Sequence, residues 1–428
     1  MTGAGSPGLR REVGLLGLTA IAVNGVVGSG IFVLPATVAG LLGPASPLAY
    51  LVAALVTALV VLCFAEAGSR FEETGGPYLY ARVAFGDFPG FVVGWMFLLS
   101  RLAAAGAIAN AFVAYLAYFH PAVAGPAGRL AAITLLLGGL AAVNVTGVRH
   151  GSRVVNVFTI AKLLPLLLLI AVGLASGRFA PLGAPPSLAS LQRASLLLIF
   201  AFGGFENANV PTEEVREPRR HLPVALVTAI LLSAALYVSI QVVAQAAVPG
   251  LAGEGAPLAA AGRALLGAGG AAVVTLGAVL STSGSVSAIA LVAPRLLYAF
   301  ARAGQMPAPL GRVHPRYRTP HVAVVVTAFL VWSVAVLGSF ALLAAVSAIA
   351  RLTFSAATCL AVPVLRRKAA GRPPAFTVPG GDVVPVLAVL LSSWLLAGIP
   401  LDQARAGAVA LLVGVALFFA GRVGATSG

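Results

Sequence analysis

Two glycine-rich segments hold residues that could bind a small polar molecule through the main chain. They read Asn24-Gly25-Val26-Val27-Gly28-Ser29-Gly30 and Phe200-Ala201-Phe202-Gly203-Gly204-Phe205-Glu206. Glycine costs a helix about 1 kcal/mol relative to alanine, so clustered glycines favour unwinding. An interrupted helix offers unpaired carbonyls where one half ends and unpaired N–H groups where the next half begins. Each segment is therefore predicted to be a helix break and part of a binding site.

The first break could bind a carboxylate at one end and an ammonium group at the other. A half-helix restarts at Ser29-Gly30-Ile31, where N–H groups and the positive end of the helix dipole favour an anion. The preceding half-helix ends near Val26, and the second break adds further open carbonyls, which suit an ammonium group. An amino acid carries both groups. We expect the substrate-binding residues to be Val26, Gly28, Ser29, Gly30, Phe200 and Gly203.

Lys162 and Glu206 are the candidates for coupling and gating. Lys162 lies in the apolar run 160–164, and a charge inside a membrane costs at least about 2.5 kcal/mol. A lysine removed from water can trade its proton, which would couple transport to protons without a metal. The alternative is a lysine that snorkels to the headgroups near Arg153. Glu206 could respond to protons or hold the unwound backbone by hydrogen bonds.

Arg101 and Arg351 also fall inside apolar segments. Arginine keeps its charge at accessible pH, so each needs a carbonyl cluster or a carboxylate as partner. Structural anchoring is the favoured role, and contact with an anionic group of a substrate is the alternative. Glu66 is expected either to make a polar contact near a gate or to be solvated.

The elements that position these residues must be membrane-spanning helices. The chain has 428 residues, of which 60% are hydrophobic and 9% charged, whereas soluble domains have about 25% charged residues. This composition, with a mean hydropathy of +1.01, excludes a soluble enzyme, a disordered chain and a disulfide scaffold. We predict an all-α polytopic membrane protein with 12 transmembrane helices. The expected spans are 13–40, 46–67, 88–118, 128–146, 154–176, 190–212, 222–247, 270–301, 321–338, 340–364, 383–400 and 405–422.

The positions of the breaks predict an internal repeat. They fall in the first and the sixth expected span, so five spans separate equivalent positions. An odd number of spans in each half inverts the second half relative to the first, and interrupted helices at matching positions point to a transporter's binding site. Close packing of helices through glycine is the alternative for either cluster taken singly.

The net charge of +15 is distributed as in a membrane protein rather than a nucleic-acid-binding protein. Of the 27 Lys and Arg residues, 19 fall in alternate loops on one expected side and five on the other. The positive-inside rule then places both termini in the cytoplasm and the chain in the cell membrane as a multi-pass protein.

Other motifs carry no chemistry. Gly3, Gly5 and Gly8 match a dinucleotide fingerprint, but no strand precedes them. Cys63 and Cys359 lie in apolar spans without metal-ligand spacing, and no Gly-x-Ser-x-Gly elbow occurs. We expect no enzymatic activity, no metal and no other cofactor.

The chain resembles the amino acid–polyamine–organocation (APC) superfamily of permeases. The matching segments are Gly28-Ser29-Gly30-Ile31-Phe32, Gly75-Gly76-Pro77-Tyr78, Lys162, Gly204-Phe205-Glu206, Glu213-Glu214-Val215-x-x-Pro218 and Pro294-Arg295-x-x-Tyr298-Ala299-x-Ala301-Arg302. The resemblance implies a five-plus-five inverted repeat (LeuT-type) with discontinuous helices 1 and 6. The transporter core would occupy residues 1–365, with helices 1–5 at about 13–176 and helices 6–10 at about 190–364. Residues 366–428 would form two additional C-terminal helices.

The resemblance also implies roles for single residues. Phe200 matches an aromatic lid over the substrate, Lys162 a lysine at the position where relatives bind sodium, and Glu206 an acid tied to gating. Cationic amino acid transporters often carry Glu after the Gly-Trp of helix three, whereas this chain has Ser100 and Arg101 in that region. The difference disfavours cationic amino acids and polyamines.

The expected function is secondary active import of neutral L-amino acids by proton-coupled alternating access. A bundle of spans 1, 2, 6 and 7 would rock against spans 3, 4, 8 and 9. The stretch after Gly75 and the loop 213–221 would form the inner gate. Protons are the expected coupling ion, and sodium is less favoured. The alternatives are an exchanger, a transporter of cationic or anionic amino acids, and a transport-inactive sensor. The partners are an amino acid and the lipid bilayer, for a monomer or a homodimer.

Overall fold

The computed structural model describes residues 14–71, 76–146, 151–178, 183–209, 215–368 and 373–426. Within these ranges the chain forms fourteen α-helices joined by short turns and 3₁₀ helices. They are α1 (Leu15–Val26), α2 (Gly30–Leu42), α3 (Ser46–Gly68), α4 (Gly76–Phe85), α5 (Asp87–Leu116), α6 (Pro126–Thr146), α7 (Gly151–Ala175), α8 (Leu188–Ala201), α9 (Pro218–Ala247), α10 (Pro257–Arg302), α11 (His321–Leu337), α12 (Phe340–Lys368), α13 (Val383–Ala397) and α14 (Leu401–Thr426).

Seven helical stretches in the described part are long and apolar enough to cross a membrane. They are Gly30–Gly68, Asp87–Leu116, Pro126–Thr146, Leu188–Ala208, Pro218–Ala247, Pro257–Arg302 and Phe340–Lys368. Five further apolar helices are shorter, with 10–17 residues. The helical, multi-pass architecture is as predicted from composition, while the count of twelve spans and the inverted repeat stay predictions.

Both predicted helix breaks are present. α1 ends at Val26 and α2 begins at Gly30, with residues 27–29 bent between them. α8 ends at Ala201, residues 202–204 form a turn, and a short 3₁₀ helix spans Phe205–Asn209. The glycines therefore interrupt both helices where their clustering indicated. Glu213, Glu214 and Gly75, which belong to the predicted inner gate, lie outside the described residues.

One prediction about a connection is wrong. The expected spans 222–247 and 270–301 leave residues 248–269 as a connecting loop, but Pro257 begins a helix that continues to Arg302 with a kink at Gly267. Gly267 has a φ of +72°, a region that favours glycine, so it reorients the chain between two helical parts. Proline fits the first turn of a helix because no intrahelical partner exists there for its missing N–H.

Most helices pack in two groups, which α7 and α12 connect. In the first group, α9 packs against α1 and α3, and α8 packs against α3. In the second group, α5 packs against α10 and α11, and α6 packs against α11. α12 contacts both α5 and the pair α3 and α8. The first group contains both breaks. It comprises the same helices that the sequence assigns to the rocking bundle.

Candidate substrate and coupling site

The two breaks touch each other through glycine. A Cβ on Gly25 would overlap the carbonyl oxygen of Gly204, and a Cβ on Gly30 would lie 2.6 Å from the Cα of Ala201. Gly204 also has a φ of +113°, which side chains other than glycine rarely adopt. These glycines are therefore required for contact between the half-helices as well as for unwinding.

The beginning of α2 has the properties expected of a carboxylate site. Ser29 is the N-cap residue, it is 1% exposed, and its hydroxyl has no hydrogen-bond partner among the described residues. The first N–H groups of a helix have no intrahelical acceptor. The hydroxyl of Ser285 in α10 lies 3.5 Å from the position of a Cβ on Gly28. Donors from two helices therefore converge at Gly28–Gly30, which supports the anionic end of the predicted site.

Two of the three carbonyls predicted to bind the ammonium group already accept hydrogen bonds. The carbonyl of Val26 accepts from the Gly28 N–H at 2.7 Å and from the Tyr237 hydroxyl at 2.7 Å. The Phe200 carbonyl accepts from the Gly203 N–H at 3.2 Å. An ammonium group that used the Val26 carbonyl in this geometry would compete with Tyr237.

Tyr237 is the residue of this site that the sequence reasoning missed. Its hydroxyl lies 2.7 Å from the Val26 carbonyl and 3.1 Å from the Ala201 carbonyl, which are the ends of α1 and α8. The ring is fully buried and lies 5.0 Å from the ring of Phe202 between centroids. A buried tyrosine needs a partner for its hydroxyl, so a tyrosine in the apolar α9 was the available signal.

Phe200 lies in the last turn of α8. Its ring packs edge-to-face against Phe340 of α12 with 5.7 Å between centroids. The side chain therefore connects the end of α8 with the beginning of α12 beside the second break. This position is compatible with the expected aromatic lid, which stays a prediction.

Lys162 points inward to the first break. Its ammonium group donates to the carbonyl of Asn24 at 2.7 Å and to that of Val27 at 2.5 Å, and the residue is 2% exposed. The snorkelling alternative is therefore wrong. Lys162 satisfies carbonyls that unwinding left without a helical donor, so α7 is bonded to the end of α1. Its role in proton coupling stays a prediction.

Glu206 is the centre of a buried ion cluster. Its carboxylate contacts the guanidinium of Arg351, accepts from Arg101 Nη2 at 3.1 Å, and accepts from the Gly204 N–H at 2.7 Å. Arg101 also donates to Asn207 Oδ1 at 3.2 Å. Glu206 thus holds the unwound backbone, as one of its two predicted roles states. It is also the carboxylate partner that each arginine was expected to need.

Arg351 lies directly against the second break. A Cβ on Gly203 would overlap its guanidinium group, so only glycine leaves room for the arginine there. Arg101 is held on its other side by the ring of Phe97, 5.0 Å from the guanidinium carbon. Both arginines are therefore fixed beside the segment predicted to bind substrate.

A second buried carboxylate, Glu66, lies at the end of α3. It accepts from Arg70 at 2.8 Å, from Arg366 at 2.6 and 2.8 Å, and from the N–H of Val378 at 2.8 Å. Arg366 also pairs with Asp382 at 2.5 Å. The expectation of a solvated Glu66 is wrong, because the residue is 0% exposed and connects α3 with α12 and with the linker before α13.

Sequence comparison identifies the architecture that carries this site. The amino acid permease family model matches residues 13–427, nearly the whole chain. The chain belongs to the amino acid permease family of the APC superfamily. The permease is therefore a multi-pass protein of the plasma membrane, and its family consists of transporters.

Three curated relatives illustrate the range of the family. The permease is 29% identical to the branched-chain amino acid permease BcaP of Bacillus subtilis, over 97% of this chain and 94% of the relative. It is 28% identical to the serine/threonine exchanger SteT of the same organism, over 96% and 95%. It is 27% identical to the methylthioribose transporter of that organism, over 97% and 94%. The relatives are similar to this chain over its whole length and differ in what their names say they transport.

Proposed function

We propose that the permease imports neutral L-amino acids by proton-coupled alternating access around the two breaks. The observation that carries this proposal is the contact between two interrupted helices with a buried lysine bonded to one of the breaks. Unwound backbone at membrane depth occurs where it is buried in protein or lines a cavity. Two such segments that touch are the arrangement expected of a transporter's central site.

The substrate carboxylate would bind at Gly28–Gly30. The support is the combination of an unpartnered, buried Ser29 hydroxyl with the N-terminal end of α2. The ammonium group would bind the carbonyls of Val26, Phe200 and Gly203, with the Tyr237 hydroxyl leaving the Val26 carbonyl as the ammonium group arrives. This exchange replaces one donor with another, so the Val26 carbonyl stays hydrogen-bonded when substrate enters or leaves.

Alternating access would proceed by movement of α1–α3, α8 and α9 against α5, α6, α10 and α11. The support is the division of the helix contacts into these two groups. The twelve spans, the five-plus-five inverted repeat of residues 1–365, the two additional helices of residues 366–428 and the cytoplasmic position of both termini belong to this proposal. Lys162 would carry the coupling proton, and release of that proton would weaken its bonds to α1.

An exchanger is the second candidate. It is favoured by the two short bonds of Lys162, since a lysine that only anchors α1 would keep them throughout the cycle. The two candidates separate in proteoliposomes. Proton-coupled import predicts uptake into empty vesicles that rises with an inward proton gradient. Exchange predicts uptake only when the vesicles contain an internal amino acid.

A binding screen on the detergent-purified permease tests the site itself. The melting temperature is recorded with each of the twenty amino acids, with their decarboxylated amines and with polyamines. A ligand at 100 times its dissociation constant stabilises the folded state by about 2.7 kcal/mol. Stabilisation by neutral amino acids and none by the amines is the expected result. Ser29→Ala should weaken binding about tenfold, since a hydrogen bond to a charged group contributes about 1.5–3 kcal/mol. Equal stabilisation by amines and amino acids would contradict the proposal.

A further inference from the structure

Among the residues that the structure describes, the ion cluster at the second break holds one more positive than negative charge. Arg101 and Arg351 share the single carboxylate of Glu206, and both arginines are almost fully buried, at 2% and 4% exposed. A buried charge without a counter-ion is costly, because the low-dielectric interior does not screen it. Within the described part of the chain, two arginines therefore share one carboxylate.

The sequence itself limits where another counter-ion could come from. It has no Asp or Glu between Asp87 and Glu206 and none between Glu254 and Asp382, while Glu213 and Glu214 lie outside the described residues. The helices α6, α7, α11 and α12 therefore carry no acid, and α5 carries only Asp87 at its first position. The other buried carboxylate, Glu66, is bonded to arginines of its own.

Each arginine also has an N–H donor without a partner among the described residues. The Nε atoms of Arg101 and Arg351 are buried and have no hydrogen-bond partner among the residues that the structure describes. Arg351 places its guanidinium against Gly203, in the break predicted to bind substrate. An unused N–H donor and an unbalanced positive charge thus occur together at the edge of the central site.

We propose that Arg351, with Arg101 behind it, is a subsite for the side-chain carboxylate of an acidic amino acid. This rests on the proposed function, since the common part of the amino acid must bind at the first break. The permease would then take aspartate and glutamate as well as neutral amino acids and bind them more tightly than their amides. Guanidinium groups bind carboxylates through paired, charge-assisted hydrogen bonds. The added carboxylate would balance the cluster at two positive and two negative charges.

The test compares matched ligands on the purified permease. Sodium glutamate is titrated against glutamine with an equal concentration of sodium chloride, and aspartate against asparagine in the same way, with dissociation constants from thermal shift. The acid should bind about tenfold more tightly than its amide, because tenfold corresponds to about 1.4 kcal/mol, the lower range for a hydrogen bond to a charged group.

Arg351→Gln should bring the ratio of the two dissociation constants to about one. This variant leaves Arg101 and Glu206 as a one-to-one pair, so the cluster stays charge-balanced. The matched control is Arg263→Gln, which removes an exposed arginine stacked on Tyr118 and should keep the wild-type ratio. If Arg351→Gln does not fold, the ligand pairs on the wild type and on Arg101→Gln give the same comparison.

Each outcome decides between the proposals. If neutral amino acids stabilise the wild type and glutamate and aspartate do not, the acidic subsite is wrong and the proposed function stands. If sodium chloride alone stabilises the permease as much as sodium glutamate does, the cluster binds an inorganic anion. The acidic subsite is then wrong as well. Stabilisation by none of the amino acids would overturn both proposals.

Discussion

Replacing Lys162 by methionine tests whether this residue both anchors the first break and couples transport to protons. Methionine has nearly the same length and fills the volume, so the change removes the charge and two hydrogen bonds with little loss of packing. The ammonium group of Lys162 donates to the carbonyls of Asn24 at 2.7 Å and Val27 at 2.5 Å. The variant leaves both carbonyls buried without this donor.

The size of the effect follows from those two bonds. A hydrogen bond with a charged partner contributes about 1.5–3 kcal/mol, so the pair holds the end of α1 by roughly 3–6 kcal/mol before the cost of burying the ammonium group is subtracted. Each 1.4 kcal/mol is a factor of ten in an equilibrium. The fraction of molecules with a detached break should therefore rise by at most about two to four powers of ten.

Two assays measure the two roles of Lys162 separately. The amides of residues 24–29 should lose their protection from hydrogen exchange in Lys162→Met, because the free energy of local opening decreases. Uptake into proteoliposomes should lose its dependence on an inward proton gradient. Lys368→Met is the matched control, since Lys368 also donates to a carbonyl, that of Ala84 at 2.9 Å, far along α12 from the breaks.

The reasoning about coupling is refuted if Lys162→Met keeps the wild-type ratio of uptake with and without the gradient. The reasoning about anchoring is refuted if exchange at residues 24–29 stays as slow as in the wild type. If Lys162 anchors α1 without coupling transport to protons, Lys162→Met should show fast amide hydrogen exchange at residues 24–29 and an unchanged ratio of uptake with and without the proton gradient. That result would favour an amino acid exchanger.

Three further substitutions test other contacts of the site. Gly30→Ala should destabilise the fold by about 1–3 kcal/mol and abolish uptake, because its Cβ would lie 2.6 Å from the Cα of Ala201 and overpacking forces the backbone to move. Tyr237→Phe should lower thermal stability by about 1–3 kcal/mol, since it removes the hydroxyl shared by the ends of α1 and α8. Glu66→Gln should cost about 3–5 kcal/mol by thermal or denaturant unfolding, as expected for a buried ion pair that loses one partner.

Each of these substitutions has a matched control in the chain. Gly28→Ala places its Cβ 3.5 Å from Ser285 Oγ, an ordinary contact, and should fold like the wild type. Tyr50→Phe removes a buried hydroxyl that has no partner among the described residues, and should be neutral or stabilising. Asp87→Asn breaks an exposed ion pair and should cost at most about 1 kcal/mol. Equal effects in a variant and its control would contradict the contact assigned to that variant.

The sequence predicted the breaks because their cause is local. Glycine clusters disfavour a helix wherever the chain lies, so residues 27–29 and 202–204 could be placed without any knowledge of packing. The interior position of Lys162 followed from the same kind of evidence, a charge inside an apolar run. The pairing of the first and sixth expected spans followed from the positions of these clusters along the chain.

The contacts between distant segments could not be read in this way. Arg101 and Glu206 are 105 residues apart, and Arg351 is 145 residues further along, so no spacing rule connects them. The apolar segments around each arginine indicated that it needed a partner, but they did not identify the partner. Tyr237 was missed for the same reason, since its role depends on carbonyls that only the folded breaks leave open. The helix at Pro257 was missed because proline and glycine around it favoured a loop.

The carboxylate of Glu66 joins the end of α3 to α12 and to the linker before α13. Both of its oxygens are engaged, by two arginines and by the N–H of Val378, and these partners come from three separate parts of the chain. Arg70 follows Glu66 by four residues and moves with this end of α3, whereas Arg366 and Val378 belong to α12 and to the linker before α13. A movement of α3 at this end must therefore either carry α12 and the linker at residues 373–382 with it or break the bonds of Glu66 to Arg366 and Val378.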